Sequence, residues 1–221
     1  MGIIIKSIIA TILYIVMLEL TAVWILIPEK LEIENYNEYY ILIQGICQLI
    51  IVVIFILLIN QKQSRDNWKR AKIKWYLIAA IIGSLFVVFQ SPLKWVYNLI
   101  FGTEYFIEYD FDGLIELTDI NILSTIFFIP IAEELFFRKY IQENLHRRLK
   151  SWIAIIVASV LFALIHAPYL SLIWSEYNHD WHLFYLTFFG GLISGTIYYK
   201  SKSIGPSIIF HVFWNLMVVI I

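Results

Sequence analysis

Within an apolar segment of approximately 39–60, residues 41–59 read ILIQGICQLIIVVIFILLI, nineteen positions without a charge. About 20 such residues cross the roughly 30 Å hydrocarbon core of a bilayer as a helix. Six further apolar segments lie at approximately 3–27, 74–99, 120–141, 152–169, 182–199 and 204–221. Lipid offers backbone groups no partners, so a spanning segment must be a helix or part of a closed barrel. Barrel strands alternate apolar and polar residues over about ten positions, whereas these runs are continuous. The expected fold is therefore all-α: a polytopic helical membrane protein of about seven transmembrane helices, forming a single membrane domain over 1–221. The last two segments are short and are expected to tilt or to end in the interface. Composition agrees: 61% of residues are hydrophobic and 15% charged, against about 25% charged in soluble domains.

Several function classes drop out on the same numbers. A net charge of −1 supplies no basic field for nucleic acid. The single cysteine, Cys47, excludes an internal disulfide and a CxxC motif; it reads as a small core or lipid-facing residue. The opening MGIIIKSIIATILYIVMLELTAVWILIP is too long and apolar for a cleaved signal and lacks a small-x-small site before Pro28, so a retained first helix is expected.

Basic residues assign the sides. Lys62, Arg65, Lys69, Arg70, Lys72 and Lys74 follow the second segment. Arg138, Lys139, Arg147, Arg148 and Lys150 end or follow the fourth, Lys200 and Lys202 follow the sixth, and Lys6 is near the start. Fourteen of the sixteen thus fall on alternate sides of seven spans; only Lys30 and Lys94 fall on the other. Lys/Arg excess marks cytoplasmic loops, which places the N-terminus in the cytoplasm and the C-terminus outside, in a multi-pass protein of the cell membrane.

Ionisable groups inside such segments are costly and are functional candidates. Glu133, Glu134 and Arg138 sit in IAEELFFRKY, in the fourth segment. Glu134 and Arg138, four apart, share a helix face and are expected to pair. Glu133 projects about 100° away from Glu134 and stays free. Pro130 removes one helical hydrogen bond just upstream, which favours a kink. A simpler reading of Arg138 with one glutamate is an ion pair at the membrane edge with the arginine snorkelling, but it leaves the second glutamate without a role. His166 lies in FALIHAP, four residues after Phe162. His211 and Asn215 lie four apart in FHVFWNL, on one face of the last helix. Each alone can also be an interhelical polar clamp.

Together they converge. The fourth and fifth helices turn near residues 149–150, and Glu133 and His166 lie about 16 residues either side. Antiparallel helices then bring them to one level, Glu133 roughly 8–10 Å deep at 1.5 Å per residue. Counted from Trp152, His166 comes out roughly 20 Å deep, so the fifth helix must start below the membrane or tilt. His146 belongs to the basic loop. Glu176, His179, Asp180 and His182 have loose spacing and read as a solvated loop. Gly191 and Gly195 fit small-xxx-small packing. Glu19 in the first helix has no evident role.

Peptide hydrolysis needs an activated water, a stabilised oxyanion and a proton donor. Glu133 beside His166 can hold and deprotonate water. His211 and Asn215 offer donors to an oxyanion, and Glu134 with Arg138 orients the site. No serine or cysteine stands in a nucleophile setting. Zinc is the rival arrangement, since two histidines and a glutamate can make a catalytic site, but there is no HExxH.

EExxxR (Glu133, Glu134, Arg138), FxxxH (Phe162, His166) and HxxxN (His211, Asn215), in that order on separate helices, resemble the CPBP family. These are the CAAX prenyl endopeptidase and bacteriocin-processing-related intramembrane proteases, also called Abi proteins. The resemblance covers about residues 118–221. It implies a helical core opening to the cytoplasmic side and endopeptidase activity on a membrane-associated peptide or protein. In that family the first glutamate and the FxxxH histidine are thought to activate water, and the HxxxN pair to form the oxyanion hole. The family has been described both as metal-dependent and as glutamate-dependent; the expectation here is no cofactor, with zinc as the alternative. Two other functions remain. One is a non-enzymatic scaffold or bacteriocin-immunity protein binding a sensor kinase or peptide. The other is a transporter, which the missing inverted repeats disfavour. Ile/Lys/Asn usage suggests a low-GC bacterium, and hence a peptide pheromone, bacteriocin precursor or membrane protein as substrate more than a prenylated one.

Overall fold

Seven helices are present among the residues that the computed structural model describes, which are 2–22, 39–59, 70–105, 119–168 and 181–221. They are α1 (Ile3–Ala22), α2 (Tyr40–Ile59), α3 (Ile73–Phe101), α4 (residues 122–146), α5 (Ser151–Leu164), α6 (His182–Ser201) and α7 (Ile204–Ile220). The described residues contain no strand. α1, α2 and α3 are each long and apolar enough to cross a membrane, and α5 and α7 are shorter apolar helices. Ile5, Leu13, Leu20, Leu58, Leu77 and Leu99 stand exposed along α1 to α3. An apolar exterior of this extent suits hydrocarbon rather than water. The basic stretch at 62–69, the acidic loops around 28–38 and 106–118, and Glu176, His179 and Asp180 lie outside the described residues.

Two elements differ in detail from the expected segments, for local reasons. α5 was expected to run to about 169 but ends at Leu164, so His166 sits in the following turn, its amide donating to the Ala163 carbonyl at 3.0 Å. Ala167 precedes Pro168, and the proline ring disfavours helical geometry at the residue before it. α4 is one helix in four consecutive pieces: π-helical Ser124–Phe128, α-helical Ile129–Glu134, π-helical Leu135–Gln142 and α-helical Glu143–His146. Pro130 has no amide hydrogen to give, and the helix widens ahead of it: the Ile129 amide donates to Ser124, five residues back. Such π-turns are frequent at functional sites.

Small residues set how the helices pack. α3 lies along α7, where a Cβ on Gly83 would collide with the Phe210 carbonyl. α6 packs on α5 and α4 through Gly191, against Ser159 and Phe162, and through Gly195, against Gln142 and Ile155. α1 reaches α4 through Tyr14, whose ring stacks on Phe136 at 4.4 Å and meets Phe137 edge-on at 5.5 Å. Gln48 of α2 donates to the Tyr14 hydroxyl at 2.5 Å. Lys6 and Arg148 line one cavity, and His146, Ser151 and Lys202 line another. The start of α1 therefore meets the α4–α5 turn, and that turn meets the α6–α7 turn, so all three gather at one end of the molecule.

Candidate active site

Glu134 lies buried in a dense set of hydrogen bonds. Its Oε2 accepts from Arg138 Nε at 3.2 Å, from Ser194 Oγ at 2.6 Å and from the Ser207 hydroxyl. Its Oε1 lies 3.2 Å from His211 Nδ1. The two serines lie 2.8 Å apart. They come together because α6 and α7 are joined by a two-residue turn, in which Lys202 takes the left-handed conformation at φ 57°. The expected i,i+4 pair of Glu134 and Arg138 is present, but deep rather than at an edge: the side chains are 1% and 0% exposed. A buried pair of this kind holds only when further hydrogen bonds satisfy it, and the two serines and His211 supply them to the carboxylate.

Glu133, its neighbour, is differently placed. It is 5% exposed, and among the described residues its ion-pair contact is His211 Nε2 at 3.7 Å. His211 therefore stands between the two carboxylates, with one ring nitrogen towards each. Only a doubly protonated ring donates to both, and it would then balance the second carboxylate, since Arg138 balances one.

His166 joins this group through an aromatic ring. Phe162 packs edge-on against His166 at 5.1 Å, His211 at 5.7 Å and Phe137 at 5.4 Å, and the Arg138 guanidinium lies 5.3 Å from its centre. His166 Nδ1 is 3.2 Å from the Phe162 carbonyl. A carbonyl only accepts, so Nδ1 carries the hydrogen and a neutral ring leaves Nε2 as an acceptor. That is the tautomer needed to take a hydrogen bond from water.

Asn215 is occupied. Its Nδ2 donates to the Thr125 carbonyl at 2.8 Å. The π-turn explains why this carbonyl needs a partner. Its α-helical donor, the Ile129 amide, has gone to Ser124, and its π-helical donor would be Pro130, which has none. Asn215 thus clamps α7 to α4, as one of the two sequence readings had it, while one amide hydrogen remains for another acceptor.

The structure thus brings Glu133, Glu134, Arg138 and His211 into direct contact, with His166 and Asn215 at the margins. Ser194, Ser207 and Gln142 were missed from sequence. Ser207, His211 and Asn215 are spaced by four on α7, and this was a readable signal. Ser194 was hidden within the small-residue stripe of α6. Gln142, fully buried, donates to the Gly195 carbonyl at 2.8 Å and lies 3.2 Å from His146 Nε2. The Arg138 Nη groups have no hydrogen-bond partner among the described residues.

Among the described residues no three His, Cys, Asp or Glu are grouped to hold a metal ion; the His211 nitrogens face carboxylates and His166 Nδ1 faces a carbonyl, which leaves His166 Nε2 open. His182 is buried against Tyr105, with ring centres 4.4 Å apart, rather than in a solvated loop.

Compared with known families, residues 116–217 match the family model described as Rce1-like, type II CAAX prenyl endopeptidase Rce1-like. No curated protein and no solved structure matches the chain.

Proposed function

We propose, on the match of residues 116–217 to the Rce1-like type II CAAX prenyl endopeptidase family model, that the chain is an intramembrane endopeptidase in which Glu133 activates the hydrolytic water. The observation that carries this is the contrast between two adjacent glutamates. Glu134 is saturated by Arg138, Ser194, Ser207 and His211, whereas among the described residues Glu133 has a single loose contact at 3.7 Å. A fixed anion orients; a carboxylate with free lone pairs can take a proton.

Glu133 deprotonates a water held also by His166 Nε2, and the water attacks the scissile carbonyl. Once Glu133 has taken the proton, the His211 Nε2 hydrogen, held only loosely towards it at 3.7 Å, turns to the oxyanion and with the spare Asn215 hydrogen stabilises it as charge develops. The protonated Glu133 then delivers the proton to the leaving amine. The substrate is a membrane-associated peptide or protein, cleaved near the cytoplasmic side, and the reaction runs without a metal.

The test uses the full chain reconstituted in lipid with membrane-peptide substrates. Glu133→Gln abolishes cleavage and keeps substrate binding, and His211→Ala or Asn215→Ala lowers the rate by about 10²–10³, the usual cost of one oxyanion donor. Activity rises with pH through the titration of the base and survives strong chelators. Zinc at one per chain, with chelator-sensitive and zinc-rescued cleavage, would replace the metal-free mechanism but leave the protease. An unchanged phenotype in Glu133→Gln would instead favour a scaffold.

A further inference from the structure

A furrow between α1, α2 and α4 is not used by this chemistry. It is a cavity of about 460 Å³ lined on α1 by Lys6, Ile9, Ala10, Leu13, Tyr14 and Met17, with Ile51, Val52 and Phe55 of α2 and Phe136 and Tyr140 of α4 as its other walls. The α1 residues recur at three and four, so they form one helix face. From Lys6 to Met17 is eleven residues, about 16 Å at 1.5 Å per residue, or about half of the roughly 30 Å hydrocarbon core. The furrow is one leaflet deep. Its walls are apolar apart from Lys6 and two tyrosines, of which the Tyr14 hydroxyl accepts from Gln48.

Its charged end continues into a second cavity of about 400 Å³, lined by Gly2, Ile3, Lys6 and Arg148. Lys6 is common to both. Lys6 and Arg148 are exposed, and neither has an ion-pair partner among the described residues. No acidic residue lines either cavity. Arg147 and Lys150 flank the same turn.

We propose that this furrow is a binding site for one anionic phospholipid of the leaflet at the Lys6–Arg148 end, with an acyl chain lying along α1 from Ile9 to Met17 and the phosphate held between Lys6 and Arg148. An apolar furrow one leaflet deep matches an acyl chain, and two unpaired cations at its headgroup end match a phosphodiester. Basic residues at a membrane surface attract anionic headgroups at about 1 kcal/mol each, or roughly fivefold in affinity. A zwitterionic lipid offsets its phosphate with its own ammonium and gains less. The occupied chain would rest on Phe136, two residues from Glu134. The site stands on its own geometry and does not depend on the protease assignment.

Native mass spectrometry of the full chain in mild detergent, titrated with phosphatidylglycerol or phosphatidylcholine of identical acyl chains, tests it. Phosphatidylglycerol is expected to be retained at one per chain, at least tenfold more tightly than phosphatidylcholine. Lys6→Gln/Arg148→Gln should reduce its affinity to that of phosphatidylcholine. Ala10→Trp, which fills the furrow and leaves both charges, should abolish retention, and Leu13→Trp serves should that variant not fold. Equal retention of the two lipids by the wild type, undiminished retention by the double glutamine variant, or retention by both tryptophan variants would each overturn the proposal. So would a second copy of the chain bound in place of lipid.

Discussion

Arg138 shows what a single buried residue commits the molecule to. Its side chain is fully buried beside Glu134, so removing either partner strands a charge. Arg138→Met is expected to cost about 3–5 kcal/mol of stability, read as a fall in unfolding temperature in detergent. Glu134→Leu in the same chain should return much of it, because two apolar groups replace a pair without leaving a naked ion. Activity should not return. Ser194 and Ser207 meet at the same Oε2, with their hydroxyl oxygens 2.8 Å apart. Their alanine variants should therefore be non-additive, since residues in one network couple by about 0.5–3 kcal/mol. A double-mutant cycle on thermal unfolding measures this; strict additivity would mean that the serines act separately.

At the scale of elements, the decisive feature is the widened turn of α4. Pro130 leaves the Thr125 carbonyl to Asn215, so the two positions should be coupled across helices. Asn215→Leu is expected to destabilise by about 1–3 kcal/mol through the unpaired carbonyl. In a Pro130→Ala background, where an amide is restored, the same change should cost less. A cost unaltered by Pro130→Ala would sink this account. Helix spacing gives a second comparison. A Cβ at Gly83 meets backbone, the Phe210 carbonyl, whereas at Gly195 it meets the movable Gln142 side chain at 2.8 Å. Gly83→Ala should therefore destabilise more than Gly195→Ala, with overpacking typically costing about 1–3 kcal/mol. His146 adds a pH term beyond the apolar part of α4. Burial lowers its pKa from the ordinary 6.5, with Glu143 opposing and Lys202 adding. The unfolded chain takes up this proton near 6.5 and the folded chain only at lower pH, so stability is full above 6.5 and declines as pH falls through that window. His146→Gln should flatten the difference in unfolding temperature between pH 7.5 and pH 5.

For the whole molecule, the first three helices are structural partners of the family-like region. α3 backs α7, Trp214 packs edge-on against Phe86 at 4.9 Å and stacks on His211 at 5.4 Å, and Tyr14 braces Phe136 and Phe137. Phe86→Ala should thus lower activity as well as stability through the Trp214–His211 stack, at about 3–5 kcal/mol for a buried phenylalanine. An unfolding temperature that falls while the rate per folded molecule stays constant would show that the stack only supports the fold. The gathering of Lys6, Arg148 and Lys202 at one end predicts that single cysteines at those positions, in a Cys47→Ala background, are labelled from the same side of the membrane.

Sequence alone determined the helical class, because a continuous apolar run has one economical way to satisfy its backbone in lipid. It also determined the Glu134–Arg138 pair, because i,i+4 geometry is local. It marked Glu133, His166, His211 and Asn215 as the polar positions worth explaining. What it could not decide was which of them touch. His211 between the two glutamates, Ser194 and Ser207 on Glu134, and Asn215 on Thr125 are contacts over 60 to 90 residues of separation. They depend on helix spacing set by Gly83, Gly191 and Gly195, and on a π-turn whose orphaned carbonyl only a neighbouring helix can satisfy. Periodicity tells which face a residue occupies; only packing tells what that face meets.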